Sequence, residues 1–113
     1  MRYSGLCWIY LSEPASFFDI IELEKNAKVV VTDSGGVQKE SFFFETPTVI
    51  MLHDTPWVEI VENNAGIFVD ADYDRIMEAY RVLSTQEVKF PKLFGDGHAA
   101  NKILNEIIKY LNN

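Results

Sequence analysis

Residues 32–40 read Thr-Asp-Ser-Gly-Gly-Val-Gln-Lys-Glu and follow directly on the apolar run Val29-Val30-Val31. A strand, a small polar turn, two glycines and a helix-like segment, in that order, can cradle a phosphate. Glycine at 35 and 36 removes the side chains that would keep the backbone from an anion. The first turn of the next helix then offers free N–H groups and the positive end of its dipole. The Ser34 hydroxyl can donate to a phosphate oxygen or cap the helix. The competing reading is a tight strand-to-helix turn that takes glycine for its backbone angles. The turn lacks the Gly-Lys-Ser/Thr ending of a P-loop and the Gly-x-Ser-x-Gly order of a nucleophile elbow, and no histidine is placed to activate Ser34.

Glu40 lies six residues beyond Ser34, about one and two-thirds turns along the helix. A carboxylate there can accept hydrogen bonds from both hydroxyls of a ribose, or it can face solvent beside a lysine. Lys39 can steer anions or be a solvated helix lysine. His53 and His98 are the two histidines of the chain. His53 beside Asp54 has the chemistry of a general acid or base, or is an incidental loop residue. Trp57, in a polar loop, can cover a ligand or fill an interface. No group of residues has metal-ligand spacing, so no metal is expected.

Alternating strand and helix signals position these residues. Residues 6–11 are an apolar, β-compatible run that stops at Glu13-Pro14. Ser16 with Asp19 reads as a capping box for a helix carrying Phe17, Ile20, Ile21 and Leu23. Val29 to Thr32 is a strand whose β-branched character predicts burial on both faces. Val37 to Phe44 is a helix packing Val37, Phe43 and Phe44, stopped by Thr46-Pro47. Thr48 to Leu52 and Ile67 to Val69 are further strands, with a short helix at 57–63 between them. Asp72 caps a helix with Ile76, Tyr80 and Leu83 on one face. A strongly amphipathic final helix follows Gly95-Asp96-Gly97. The pattern predicts an α/β sandwich of about four parallel strands, with helices on both faces. Ligands in such sheets collect beyond the carboxyl ends of the strands. Glu13-Pro14, Asp33 to Gly36 and His53 to Thr55 all fall there.

The 113 residues have room for one domain; 48% are hydrophobic and 13% aromatic, enough for a core. A net charge of −7 with no basic cluster argues against nucleic-acid binding. The lone Cys7 forms no internal disulfide and fits a reducing cytoplasm. No apolar segment approaches the roughly 20 residues of a membrane span. The run at 6–11 is short and lacks a cleavage pattern, so it reads as a buried strand rather than a signal peptide.

Taken together, these residues resemble the C-terminal part of the non-hydrolysing UDP-N-acetylglucosamine 2-epimerases, from about Glu13 to the end. The most specific match is Thr32 to Glu40. Leu23-Glu24-Lys25-Asn26-Ala27, Thr46-Pro47, Trp57-Val58-Glu59 and Phe94 to Ala100 support it. The Trp-Val-Glu form looks closer to the branch acting on 2,3-diacetamido uronic acid sugars. The resemblance implies one of two Rossmann-like domains of a glycosyltransferase-B architecture, so that 1–113 is a single partial domain. It implies that Ser34, Gly35 and Gly36 bind the diphosphate of UDP and that Glu40 binds the ribose. Glu13 and Pro14 would border the uracil pocket, with His53 and Trp57 beside the uracil or sugar. The implied chemistry is C2 proton abstraction, anti-elimination of UDP and re-addition on the opposite face, without metal or organic cofactor.

Two departures stand out. The family's acid/base carboxylates and catalytic histidine have no counterpart in this chain, which is expected to be inactive alone. Its loop has Leu52-His53 where the family often has Arg-Asp, and Trp57 where simple epimerases place an arginine. In family order the runs at 6–11 and 29–32 would not be neighbours, because two absent strands lie between them. An unpaired apolar strand is a template for association, so a homodimer, a companion N-terminal half or a rearranged sheet is expected. Two other readings compete. One is half of a retaining glycosyltransferase, disfavoured because the paired glutamate eight positions before Glu40 is replaced by Thr32. The other is a non-catalytic flavodoxin-like module or gene remnant.

Overall fold

The structure is a computed structural model that describes residues 9–113. Three short strands, β1 (Val30–Thr32), β2 (Thr48–Ile50) and β3 (Gly66–Phe68), form a parallel sheet in the order β1-β2-β3. In register are Val30, Thr48 and Gly66, then Val31, Val49 and Ile67, then Thr32, Ile50 and Phe68. Side chains alternate between the faces of a strand, and helices cover both faces of β2. On one side Val49 packs with Val69 and with Ala79 and Leu83 of α4 (Tyr73–Thr85). On the other, the side chains of Ile50 and of Ile60 in α3 (Val58–Glu62) both close over Gly66. All three residues of β2 are buried, so its sequence shows no polar-apolar alternation between Val49 and Ile50.

Helix starts follow the side-chain caps. Ser16 accepts from the Asp19 amide and donates to its carboxylate at 2.6 Å, opening α1 (Phe17–Asn26). Ser34 caps α2 (Gly35–Phe43), and Asp72 accepts from the Arg75 amide at 2.8 Å. Helix α5 (Ala99–Leu111) buries no residue, and Ile103, Leu104, Ile107 and Ile108 of its apolar face are exposed. The radius of gyration is 17.6 Å, against about 13 Å for a compact chain of some 100 residues.

The strand expected at 6–11 is not formed by the residues described. Residues 6–8 lie outside the described segment, while Ile9, Tyr10 and Leu11 are exposed and unpaired in any sheet. An apolar run becomes a strand only where a neighbouring strand satisfies its backbone groups. The described sheet therefore has three strands rather than four, and β1 is an edge with Val31 46% exposed. Faces of two helices also differ from expectation. Phe42, not Phe43, enters the core, clustered with Ile60 and Ala65 and edge-on to Phe90 and Phe94. In α1 the buried residue is Glu24, while Phe17 and Leu23 face outward.

Candidate functional site

The β1–α2 junction is organised by its own short polar side chains. Thr32, nearly buried at the end of β1, accepts a 3.0 Å hydrogen bond from the Ser34 amide. Ser34 in turn caps α2, its hydroxyl accepting from the Val37 amide at 3.4 Å and its carbonyl from the Gln38 amide at 3.1 Å. The amides of Gly35 and Gly36, in the first helical turn, have no acceptor among the described residues. Such amides are open to an anion.

Neither glycine has a left-handed backbone; among the described residues the positive-φ glycines are Gly95 and Gly97. Nor does crowding require them. A Cβ on Gly36 would meet only Ser34 Oγ, at 3.8 Å, and one on Gly35 would meet Trp57 Nε1 at 3.6 Å and Pro56 at 3.9 Å. These are ordinary contacts. The turn therefore does not take glycine for its backbone angles, and two amides at its helix start remain without an acceptor among the described residues.

Trp57 braces this turn. Its Nε1–H donates to the Gly35 carbonyl at 2.8 Å, and its amide donates to Thr55 Oγ1 at 3.1 Å. The Thr55 hydroxyl donates to Gln38 Oε1 at 2.6 Å, tying the loop after β2 to the buried face of α2. Lys39 Nζ stands 4.2 Å from the Trp57 ring centroid and 4.9 Å from that of Phe94, a cation held over two aromatic faces. Gln38 and Thr55 lie in segments that the sequence marked, but their pairing was not legible there; a buried polar pair of this kind gives no periodic signal.

His53 follows β2 and lies at the same sheet end as Ser34, with which the parallel order aligns it. Its Nδ1 is 3.2 Å from the carboxylate of Asp70, which follows β3 with a φ of 56°. The acidic neighbour of His53 is thus Asp70 rather than the sequence-adjacent Asp54. Both side chains are exposed. Glu13 and Pro14 line a broad open groove along α1 with Ser16, Asp19 and Leu23; Ser34 to Gly36, His53 and Trp57 do not line it.

Glu40 sits half-buried on α2, with its carboxyl facing that of Glu24 on α1. Burial first, and then the charge of Glu40, raise the Glu24 carboxyl above its ordinary range. No group of His, Cys, Asp and Glu among the described residues could hold a metal ion. No helix of the described residues is long and apolar enough to cross a membrane.

Residues 2–108 match the family model described as UDP-N-acetylglucosamine 2-epimerase. The chain belongs to that family. It is 36% identical, over 89% of its length, to a UDP-N-acetylglucosamine 2-epimerase homolog of Methanococcus maripaludis, of which it covers 28%. It is equally 36% identical to the UDP-2,3-diacetamido-2,3-dideoxy-D-glucuronate 2-epimerase of Pseudomonas aeruginosa, covering 29% of that protein. Identity therefore does not separate the two branches. The structure of the Methanocaldococcus jannaschii UDP-GlcNAc 2-epimerase in complex with UDP-GlcNAc and UDP superposes with a TM-score of 0.78 at 30% identity, over 88% of this chain and 27% of that one. The fold is thus the α/β fold of part of a glycosyltransferase-B type epimerase. The chain spans under a third of the length of these relatives.

Proposed function

We propose that this chain is the C-terminal, UDP-binding portion of a UDP-N-acetylglucosamine 2-epimerase-like enzyme, a single partial domain over residues 1–113. The observation that carries the reading is the pair of amides at Gly35 and Gly36, in the first turn of α2, that have no acceptor among the described residues. A pyrophosphate would accept from those amides and from the Ser34 hydroxyl, with the α2 dipole favouring its charge. Glu40, about 9 Å further along the helix axis, would accept from the ribose hydroxyls. Uracil and sugar are assigned to the flanks, with Glu13 and Pro14 leading into α1 on one side and His53 and Trp57 on the other. The relative solved with UDP-GlcNAc and UDP supports this ligand class.

The parent reaction is C2 epimerisation of a UDP-2-acetamido sugar by elimination and re-addition of UDP. Residues 1–113 supply the leaving group's binding site and are inactive by themselves; the acid/base residues come from the remainder of the enzyme, on the same chain, on a companion N-terminal half or on another copy, in the cytoplasm. Association is supported by the edge that β1 forms and by the apolar face that α5 exposes among the described residues. Titration with UDP tests the reading. The expected result is saturable heat in calorimetry, with amide shifts centred on Gly35 and Gly36. Absence of both at millimolar UDP, in folded protein, overturns it.

A further inference from the structure

Glu24 is a buried acid without a conventional partner. Its residue is 5% exposed, and neither carboxyl oxygen accepts a hydrogen bond from a donor among the described residues. What its carboxyl faces is another carboxyl, that of Glu40. Around it β1 presents Val30 and Thr32, and α2 presents Val37. Thr46 is committed elsewhere, donating its hydroxyl to the Glu24 backbone carbonyl at 2.9 Å. Lys25 and Lys28 are exposed, whereas the charge of Glu40 acts on the Glu24 carboxyl and raises it. Two ionised carboxylates in such a place repel; one proton between them makes a strong hydrogen bond instead. Burial determines which of the two keeps it, because the charged form of the more buried acid loses more solvation.

We propose that Glu24 is a positioning residue that, as a neutral carboxylic acid, donates a hydrogen bond to the Glu40 carboxylate and fixes the orientation in which Glu40 accepts the ribose hydroxyls of a uridine nucleotide. This rests on the UDP-site reading above. A carboxylate on a helix has three rotatable bonds, and a donor on its far side removes most of that freedom before the ligand arrives. The raised proton affinity of Glu24 keeps the donor in place at pH values where an exposed glutamate would have ionised. When Glu24 does ionise, a second negative charge stands against Glu40, and the diol is no longer held. Recognition of the ribose is therefore switched by one buried proton.

The test compares UDP with 2′,3′-dideoxy-UDP in calorimetric titrations of the whole chain across pH, alongside carboxyl ¹³C NMR of the ligand-free protein. Wild type is expected to prefer UDP, and to lose about tenfold of that preference as Glu24 ionises. Glu24→Gln, whose amide donates at every pH, keeps the preference and loses the pH step. Glu24→Leu loses the preference at all pH values while its affinity for the dideoxy nucleotide is unchanged. In the ligand-free protein, Glu40→Gln brings the Glu24 titration down towards the ordinary carboxylate range. The proposal is overturned if folded Glu24→Leu retains the wild-type preference, or if Glu24→Gln retains the pH step. Wild type that binds no UDP overturns the nucleotide site itself, and with it the ribose role. The NMR titration then still shows whether the carboxyl pair exists, so the two failures are told apart.

Discussion

The indole N–H of Trp57 donates a 2.8 Å hydrogen bond to the carbonyl of Gly35, 22 residues earlier in the chain. This bond pins the loop after β2 against the first turn of α2. Trp57 packs with Phe94 at a ring-centroid distance of 5.8 Å and carries Lys39 over its face. Replacing Trp57 by Phe keeps an aromatic ring for both contacts and removes the donor. One part-buried hydrogen bond is worth about 1 kcal/mol, so the urea midpoint should drop accordingly. If the brace also orders the phosphate turn, UDP affinity should fall by about fivefold. A stability loss with unchanged affinity would confine Trp57 to structure.

Gly36→Ala separates folding from binding. The position has no positive φ, and a Cβ there meets only Ser34 Oγ at 3.8 Å. An alanine in the first helical turn should leave stability unchanged or raise it by up to about 1 kcal/mol. The same methyl would stand in front of the free amides, where the diphosphate would lie. UDP affinity is expected to fall at least about tenfold, measured by calorimetry beside a denaturation curve. Unchanged affinity would remove the glycine turn from the site.

Gly66→Ala should do the reverse, harming the fold alone. Its Cβ would lie 2.9 Å from both Ile50 Cδ1 and Ile60 Cγ2, and 3.4 Å from the Thr48 carbonyl. All of these neighbours are buried, so β3 or α3 must shift. Overpacking of this kind costs about 1–3 kcal/mol. A chemical denaturation series checks it, and a neutral result would mean that α3 docks more loosely than these contacts imply.

These three positions show what a sequence can carry. The β1–α2 junction was legible because strand, turn, cap and glycines occupy consecutive residues, so local rules suffice. The caps at Ser16, Ser34 and Asp72 were legible for the same reason. Strand β2 was visible as an unbroken apolar run because both its faces are covered. Ile9 to Leu11, the described part of the run at 6–11, lie outside the sheet because hydrophobicity records that a segment suits a sheet, not that the sheet has a place for it. The face of α2 was misassigned because Gln38 and Ser41 share the buried side with Phe42. The contact of Glu24 with Glu40 was invisible, since it depends on how α1 docks on α2 and places like charges together. His53 with Asp70 needed the strand order, which joins the ends of β2 and β3.

Stability should depend on pH in opposite senses at two acids. Glu24 has its carboxyl raised in the folded chain, by burial and then by Glu40, from an ordinary value of 4.5. Between the ordinary and the raised value the folded protein holds a proton that the unfolded chain has released, so stability falls with rising pH through that window. Below 4.5 the effect on stability is fully favourable, and above the raised value it is lost. Asp96 is lowered from 3.8, by the hydrogen bond from Lys102 and then by that from the His98 amide. Its contribution is present above the ordinary value and disappears as pH falls through the lowered one. Asp96 is exposed and holds only the start of α5, so its effect should be confined to the helical shifts of residues 98–102. Glu24 is linked to the α1–α2 contact, so its effect should appear in global unfolding. Thermal melts of wild type and Glu24→Gln should converge at acidic pH and separate as pH rises, with the variant the more stable. Parallel curves across the whole range would mean that Glu24 titrates alike in the folded and unfolded chain.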